Sequence, residues 1–228
     1  MKITNPKGII PWFLIIAIPV SILSCYPGGP SNAEDMDLVG TSHDKEFNFS
    51  AVSSFSLPDT IVHMVADGEE DELGRDYDSL IIGRVRDQMI SHGYNEEPLD
   101  TLNPADIVLL ISAMSSTNSG VFFDPSWWWG YWGWWPGWGG YPGGPVWGPG
   151  WGMGFPVGFP VYLNYTTGTL FITMVDPENT DIDEKTIAVT WLAAINSLLQ
   201  GGGQYTEQRI TDNIDQAFKQ SPYLNNNQ

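Results

Sequence analysis

The chain has 228 residues, a formal net charge of −18 and one cysteine, a length that fits one ordinary domain with additions or two small domains. The excess of acidic residues repels phosphate backbones, and no cluster of Lys and Arg offsets it, so composition argues against nucleic-acid binding. A single cysteine rules out a disulfide within the chain and any CxxC metal or redox pair.

The first 24 residues have the pattern of an export signal. Lys2 and Lys7 give a positive start, and the apolar run over 12–23 is too short to span a bilayer comfortably but has the length of a signal-peptide core. The run ends in the sequence ILSC at 22–25, which resembles the lipobox of bacterial lipoproteins. The resemblance implies cleavage before Cys25 and acylation of its thiol and amine, and several acyl chains anchor a protein stably. An uncleaved anchor with a coincidental cysteine is the alternative.

The residues after the signal are predicted to form a flexible tether over 25–44, because its beginning is rich in Gly and Pro. Tyr26 follows Cys25 in place of an Asp that would resemble an inner-membrane retention signal, which favours the outer membrane and leaves the leaflet open. Without residues 1–24 the chain keeps 7 basic and 27 acidic residues, a net charge of −20. A single α/β domain is predicted over 45–224, interrupted by an insertion at 120–160.

The first half of this domain is predicted to contain strands, a helix and a buried strand. Alternating apolar residues from Phe47 to Val62 predict one or two strands, and an acidic loop follows at 67–72. A helix is predicted next, capped by Asp78 or Ser79 and ended by Gly93 in a left-handed conformation. Its apolar face is formed by Ile81, Ile82, Val85 and Met89. The continuous apolar run at 107–111 predicts a strand buried on both faces.

The second half is predicted to contain two or three strands and a final helix. One strand group covers 161–175, in which Gly168 marks a bulge or tight turn, and alternation continues at 187–193. Thr206 opens the final helix and Pro222 stops it, while the tail at 225–228 is predicted to be frayed. The apolar face of this helix is formed by Ile210, Ile214, Ala217 and Phe218.

This order of elements predicts an α/β (α+β) fold. Two amphipathic helices packed on one face of a mostly antiparallel sheet of about four or five strands form a two-layer sandwich, which is the simplest way to bury both apolar faces. The first strand, helix and buried strand would form a right-handed crossover if the two strands are parallel neighbours.

The insertion has an unusual composition. Of the 35 residues at 126–160, 9 are Trp, 12 are Gly, 6 are Pro and none is charged, which excludes a regular helix. Each buried Trp ring removes up to about 250 Å² from water, so nine exposed rings would promote aggregation. The rings are therefore expected to pack on the domain, on each other, in a membrane interface or on a partner. The candidate contact surface comprises Trp127, Trp128, Trp129, Trp132, Trp134, Trp135, Trp138, Trp147 and Trp151.

Sequence motifs for catalysis, metal binding or cofactor binding are not found. The Gly-rich sequence at 148–152 lacks the Lys of a phosphate loop, and His43, His63 and His92 are scattered. His92 is placed to interact with a helix dipole. The acidic stretch at 176–184 offers oxygen ligands for Ca²⁺ but lacks EF-hand spacing, so a polar hairpin loop is the favoured interpretation. We therefore predict no enzyme activity, no catalytic residue, no metal and no cofactor.

Short motifs between residues 44 and 223 together resemble the domain of unknown function 4136 family of bacterial lipoproteins. They are FNFS at 47–50, SFSLP at 54–58, HGY at 92–94, NPADIV at 103–108, YTTGTL at 165–170 with Asp176, VTW at 189–191 and, in part, SP at 221–222. The resemblance implies the compact α/β fold and brings no known active site.

Together these features predict a non-enzymatic lipoprotein of the cell envelope, whose domain binds or scaffolds a partner through the tryptophans at 127–151. The predicted partners are the membrane, through lipidated Cys25, and a membrane interface, protein or glycan, through the insertion. The alternative function is a glycan-binding accessory lipoprotein in which Trp rings stack on sugars. A third possibility is that the insertion is a low-complexity loop folded back on its own domain.

Overall fold

The computed structural model describes residues 38–65, 70–71, 73–99, 105–115, 152–154, 168–181, 186–196, 198–199 and 205–227. In these ranges the chain forms eight strands, two α-helices and two short 3-10 turns, at Phe49–Ala51 and Pro222–Leu224. The strands and helices are β1 (Leu38–His43), β2 (Ser54–Ser56), β3 (Val62–Met64), α1 (Asp78–Ser91), β4 (Asn95–Glu96), β5 (Ile107–Met114), β6 (Gly152–Gly154), β7 (Leu170–Asp181), β8 (Thr186–Asn196) and α2 (Thr206–Lys219).

The eight strands form one sheet in the order β1-β8-β7-β5-β2-β4, with β3 also paired to β5 and β6 to β8. The long pairs β1–β8, β7–β8 and β5–β7 are antiparallel, whereas β2 and β3 run parallel to β5. The predicted α+β class with a mostly antiparallel sheet is confirmed. The strand number exceeds the predicted four or five because β2, β3, β4 and β6 have three residues or fewer, too few for an alternating pattern.

Strand β1 lies inside the predicted tether. It pairs with β8 from Leu38↔Asn196 to His43↔Trp191, so the sheet includes residues well before the predicted start of the domain at Lys45. That boundary was wrong because β1 is an edge strand with the sequence LVGTSH, in which small and polar residues hide the period of two.

The predicted strand around Phe49 is also corrected. Residues Phe49–Ala51 form a 3-10 turn, and Phe49 is buried with its ring 4.8 Å from the ring of Phe47. The rings at 47 and 49 pack on each other and on the core. Their spacing of two residues equals the period of a strand, which is why a strand was predicted there.

The core lies between the sheet and the two helices. The predicted apolar faces of α1 and α2 are both buried, and they pack on alternate residues of the central strands. These strand residues are Ile107, Leu109, Ile111, Leu170, Ile172, Met174, Trp191, Ala193 and Ile195. Across the helices, Arg84 and Gln88 of α1 both hydrogen-bond to Asp215 of α2.

The prediction for α1 is confirmed at its C-terminal end and wrong at its N-terminal cap. Neither Asp78 nor Ser79 caps the helix; Tyr77 precedes it without a side-chain cap, and Asp78 in the first turn instead accepts a hydrogen bond from Arg75 at 3.1 Å. At the other end, Gly93 has φ +92°, as predicted for a left-handed residue. Gly168 also has positive φ, +81°, and its N–H donates to the carbonyl of Met114.

The C-terminal tail is ordered over the described residues, so the predicted fraying was wrong. The backbone N–H of Asn226 donates to His92 at 2.8 Å, and its side-chain amide donates to the carbonyl of Val52 at 2.8 Å. The side-chain amide of Asn227 donates to the carbonyl of Ser91 at 2.9 Å. These bonds hold the tail against the end of α1 and the turn before β2.

Candidate functional site

A cavity of about 670 Å³ lies at the end of the sheet where β5 begins. It is lined by residues from three separate segments, at 46–52, 105–106 and 176–179. Among the described residues that line it, apolar groups such as Phe47 and Pro177 are combined with four acidic residues and no Lys or Arg. The local field is therefore negative, which disfavours anionic ligands.

Asp106 forms one wall of this cavity. Its carboxylate Oδ2 accepts hydrogen bonds from the backbone N–H groups of Ser53, at 2.7 Å, and Ser54, at 2.9 Å, and from the Ser53 hydroxyl at 3.2 Å. Burial raises the pKa of Asp106, but the hydrogen bonds from Ser53 and Ser54 outweigh it and hold that pKa below its ordinary value. The charged side chain thus ties the start of β5 to β2.

Asp176 also lines the cavity and is 6 % exposed. Its Oδ1 accepts from the backbone N–H groups of Glu178 at 2.9 Å and Asn179 at 3.2 Å, and its Oδ2 accepts from the Asn179 amide at 2.6 Å. The carboxylate therefore stabilises an irregular stretch of β7, in which the register against β8 shifts between Asp176 and Asp181. The polar hairpin loop predicted over 176–184 was wrong over 176–181, because strand β7 continues to Asp181. Among the described residues, no group of three His, Cys, Asp or Glu side chains could hold a metal ion.

A second polar cluster lies at the other end of β5. His63 Nδ1 is 2.8 Å from Asp71 Oδ2, and the Ser115 hydroxyl donates to Asp71 Oδ1 at 2.8 Å. The Leu73 N–H also donates to Asp71 Oδ1, at 3.1 Å. Burial raises the pKa of Asp71, but hydrogen bonds from Ser115, His63 and Leu73 outweigh it, so that pKa lies below its ordinary value.

This Ser, His and Asp cluster does not have the arrangement of a serine hydrolase. In a catalytic triad the serine hydroxyl bonds to the histidine and the carboxylate bonds to the other ring nitrogen. Here Ser115 and His63 both bond to Asp71, and the buried Nε2 of His63 has no hydrogen-bond partner within the described part of the chain. The cluster joins β3 and β5 to the segment that precedes α1.

The three histidines are in different environments, as their scatter in the sequence predicts. The ring of His43 stacks on Tyr223 at 3.8 Å, and burial together with Lys45 lowers its pKa despite the opposing Asp44. His92 follows α1, and its Nδ1 donates to the carbonyl of Gln88 at 2.7 Å. The His92 ring therefore adds a hydrogen bond to a carbonyl in the last turn of the helix that also accepts the backbone N–H of His92, in keeping with its predicted position near the dipole.

The residues predicted as lipid attachment site and contact surface, Cys25 and the nine tryptophans, lie outside the described residues. The sheet does show where the insertion is connected. The connection that contains the insertion leaves the sheet after β5 and returns at Gly168 before β7. Strands β5 and β7 are antiparallel neighbours. Strand β6, which sequence reasoning missed because its sequence is GMG, pairs parallel with the start of β8.

These features define an α+β domain with two helices on one side of a mostly antiparallel sheet and a long insertion between neighbouring strands. Residues 39–223 match the model of the family described as Domain of unknown function (DUF4136). The chain therefore belongs to this family, which confirms the resemblance carried by its short motifs.

Two solved structures show different degrees of similarity to this chain. A DUF4136 family protein from Bacteroides thetaiotaomicron is 28 % identical, with a TM-score of 0.59 over 83 % of this chain and 98 % of that one. A PelC variant from Paraburkholderia phytofirmans, solved as a dodecamer, is 11 % identical, with a TM-score of 0.37 over 82 % of this chain and 98 % of its own. No curated protein matches the chain. Among the described residues, no helix is long and apolar enough to cross a membrane.

Proposed function

We propose that this protein is a membrane-anchored lipoprotein of the cell envelope, held by lipid on Cys25. Its α+β domain binds or scaffolds a partner without catalysis and uses the tryptophans at 127–151 as its contact surface. Among the envelope membranes, the outer membrane is the proposed location. The motif ILSC at 22–25 behind a short apolar run supports the anchor.

The observation that carries the binding role is the position of the insertion in the fold. Strands β5 and β7 are antiparallel neighbours, with Ala113 paired to Leu170, and a hairpin loop of two to five residues suffices to join such strands. The chain instead places 54 residues between Ser115 and Leu170, nine of them Trp at 127–151. The connection is far longer than the sheet needs, and loops of this length between scaffold strands commonly carry function.

The chemistry of the insertion favours a contact surface at a membrane or another protein. A Trp ring joins a large apolar area to one N–H donor, a combination enriched in membrane interfaces and in the centres of protein interfaces. A lipid anchor would hold the rings near a bilayer, which raises their effective concentration at its surface. The expected contact is therefore the headgroup region of the membrane or a protein within it.

Trp fluorescence of the chain beginning at residue 26 tests the contact surface. This chain contains the nine insertion tryptophans and Trp191, which is fully buried with its Nε1–H bonded to Ser221 and serves as an internal reference. A blue shift on adding lipid vesicles, lost when the nine tryptophans are changed to Ser, supports a membrane contact. A shift with envelope polysaccharide but not with lipid would favour the glycan-binding alternative. Emission already blue and unchanged by either addition would contradict the proposal.

The anchor needs a separate test, because a lipid and an aromatic surface could each hold the chain at a membrane. The mass of the mature wild-type protein should equal that of residues 25–228 plus three acyl chains and glycerol. A Cys25→Ser variant should lack that added mass. Wild-type protein of unmodified mass with residues 1–24 still attached would contradict lipidation.

A further inference from the structure

The outermost strands in the sheet order, β4 and β1, differ in how well they are protected against pairing with a further strand. Strand β4 has only two residues, Asn95 and Glu96, and Glu97 and Pro98 follow it. Short length, charge and proline are features by which sheet edges avoid further pairing. Strand β1 has six residues with the sequence LVGTSH, which contains no Lys, no Pro and no acidic residue. Strand β1 is therefore the less protected of these two edges.

The hydrogen bonds to β8 show which backbone groups of β1 point outwards. In an antiparallel pair, residues that exchange two hydrogen bonds with their partner alternate with residues whose N–H and C=O point away from it. The N–H of Asp44 donates to the carbonyl of Thr190 at 2.8 Å, and this phase assigns the bonds to β8 to the even-numbered residues. The odd-numbered residues of β1, Val39, Thr41 and His43, therefore direct their N–H and C=O groups away from β8.

This outward row of backbone groups is open within the described part of the chain. No described strand pairs with the outer side of β1, and no hydrogen bond among the described residues uses the outward groups of Val39, Thr41 or His43. Leu38, at the start of the strand, is 51 % exposed. The row thus offers three N–H donors and three C=O acceptors, and an unpaired row of this kind is a template for strand addition.

The outward row is complementary to itself about Thr41. When two copies of β1 lie antiparallel with Thr41 opposite Thr41 of the second copy, Val39 of each copy lies opposite His43 of the other. All three pairs then exchange two hydrogen bonds each, so six bonds form and every outward group is used. Asp44 lies opposite Leu38 of the second copy, so no like charges face each other over 38–44. The edge of a second copy therefore matches this edge in length, hydrogen bonding and charge.

We propose that β1 is a self-association surface, at which two copies of the chain pair antiparallel about Thr41 and join their sheets. The strand edge alone, about 20 Å long and about 10 Å thick, covers roughly 200 Å² of each copy, below the about 800 Å² per partner of a stable interface. Helix α2 packs on β1 and β8, so the two-fold axis places both α2 helices on one side of the joined sheet, which adds area. A reversible pair is therefore expected, and it requires neither the lipid nor the tryptophans.

Disulfide cross-linking of the full chain tests the register. In a Cys25→Ser background the introduced residue is the only cysteine. Thr41→Cys places the thiols of two copies opposite each other, with Cα atoms about 5.5 Å apart, a distance that a disulfide bridges. Glu46→Cys is the control, because Glu46 is exposed but lies beyond the end of β1, far from its counterpart. We expect Thr41→Cys to form a covalent dimer several-fold faster than Glu46→Cys. Equal rates, or no dimer from Thr41→Cys, would overturn the proposal.

Proline substitution tests whether backbone hydrogen bonds make the contact. Thr41→Pro removes an outward N–H from each copy and leaves the bonds to β8 in place, and proline is tolerated at such edge positions. Self-association of the full chain, measured by sedimentation equilibrium in detergent, should weaken at least about tenfold, with Tm close to wild type. Thr41→Val keeps the N–H and the strand propensity and should associate like wild type.

A second variant covers the case in which Thr41→Pro lowers Tm. Thr41→Lys keeps the N–H but places two like charges opposite each other across the axis, so it should also weaken self-association. A wild-type chain that stays monomeric as its concentration rises, or association unchanged by Thr41→Lys, would refute the proposed surface.

Discussion

The contact between Gly93 and Asn227 shows how one residue joins a helix end to the chain terminus. Gly93 has φ +92°, and a Cβ there would lie 2.9 Å from Asn227 Oδ1 and 3.2 Å from its Cγ. A Gly93→Ala substitution therefore strains the backbone and pushes the tail away. We expect it to lower the free energy of unfolding by about 2 kcal/mol, measured by urea denaturation.

Gly83, inside α1, offers a matched control. A Cβ at Gly83 would meet no atom within 4 Å, and Ala has a higher helix propensity than Gly, so Gly83→Ala should stabilise by about 0.5–1 kcal/mol. Equal effects of the two substitutions would contradict the structural role of Gly93.

The ionisation of Asp106 makes the stability that this residue contributes depend on pH. Its folded-state pKa is depressed by hydrogen bonds from Ser53 and Ser54, which outweigh the effect of burial. A carboxyl group whose pKa is lower in the folded state stabilises the fold at pH values above its unfolded-state pKa of about 3.9. This stabilisation is lost as the pH falls through the lower folded-state pKa. The stability contributed by Asp106 should therefore decline below about pH 4.

The Asp106→Asn variant tests this dependence, since it keeps the size of the side chain but removes its charge. At pH 7 it should be less stable than wild type by about 1 kcal/mol, because a neutral amide oxygen accepts the hydrogen bonds from Ser53 and Ser54 less strongly than the carboxylate does. Thermal unfolding measured from pH 6 to pH 3 should show the two proteins converging at the acid end. Parallel curves over the whole range would mean that the Asp106 charge adds nothing to the link between β2 and β5.

Residues that act locally were predictable from the sequence, and residues that act across the fold were not. Gly93 could be assigned because Gly after a helical pattern commonly takes positive φ. The order of Asn226 could not be predicted, since its partners Val52 and His92 are distant in sequence. The cavity was missed for the same reason, because its walls come from three separate segments.

At the scale of elements, the C-terminal tail acts as a clamp between α1 and the turn before β2. Asn226→Ala removes the side-chain bond to Val52 and leaves the backbone bond to His92 intact. We expect a loss of about 1–2 kcal/mol, because the carbonyl of Val52 would lose its partner, together with faster hydrogen exchange at the end of α1. Asn225→Ala is the control, since Asn225 is exposed and its side chain bonds only to the nearby N–H of Asn227 among the bonds described. An equal loss in both variants would show that the clamp is not specific to Asn226.

The length and burial of an element decide whether it can be predicted from the sequence. Strands β5, β7 and β8 have 8 to 12 residues and bury both faces over 107–114, 170–175 and 189–195, so the apolar residues there predicted these parts of the strands. The polar residues of β7 after Val175 gave no such signal, and the predicted strand group ended at that residue. Strands β1 and β6 lie on the outer side of β8 and carry small residues, so only their pairing identifies them. Helix α2 was predicted from the amphipathic pattern of its apolar residues, all four of which are buried.

At the scale of the whole molecule, charge opposes the proposed membrane contact. The chain from residue 26 carries 7 basic and 27 acidic residues, so an anionic bilayer repels it while the Trp rings favour insertion. The balance depends on salt, because the Debye length falls from about 30 Å at 0.01 M to about 8 Å at 0.15 M.

This balance makes a testable prediction about lipid composition. At 0.01 M salt the chain from residue 26 should bind zwitterionic vesicles at least about threefold more tightly than vesicles with one third anionic lipid, since each acidic residue near the surface opposes binding by up to about 1 kcal/mol. At 0.15 M salt the two affinities should approach each other, as measured by vesicle flotation. Tighter binding to anionic vesicles at low salt would mean that basic side chains make the contact. The aromatic surface would then be the wrong assignment, because uncharged rings gain nothing from lipid charge.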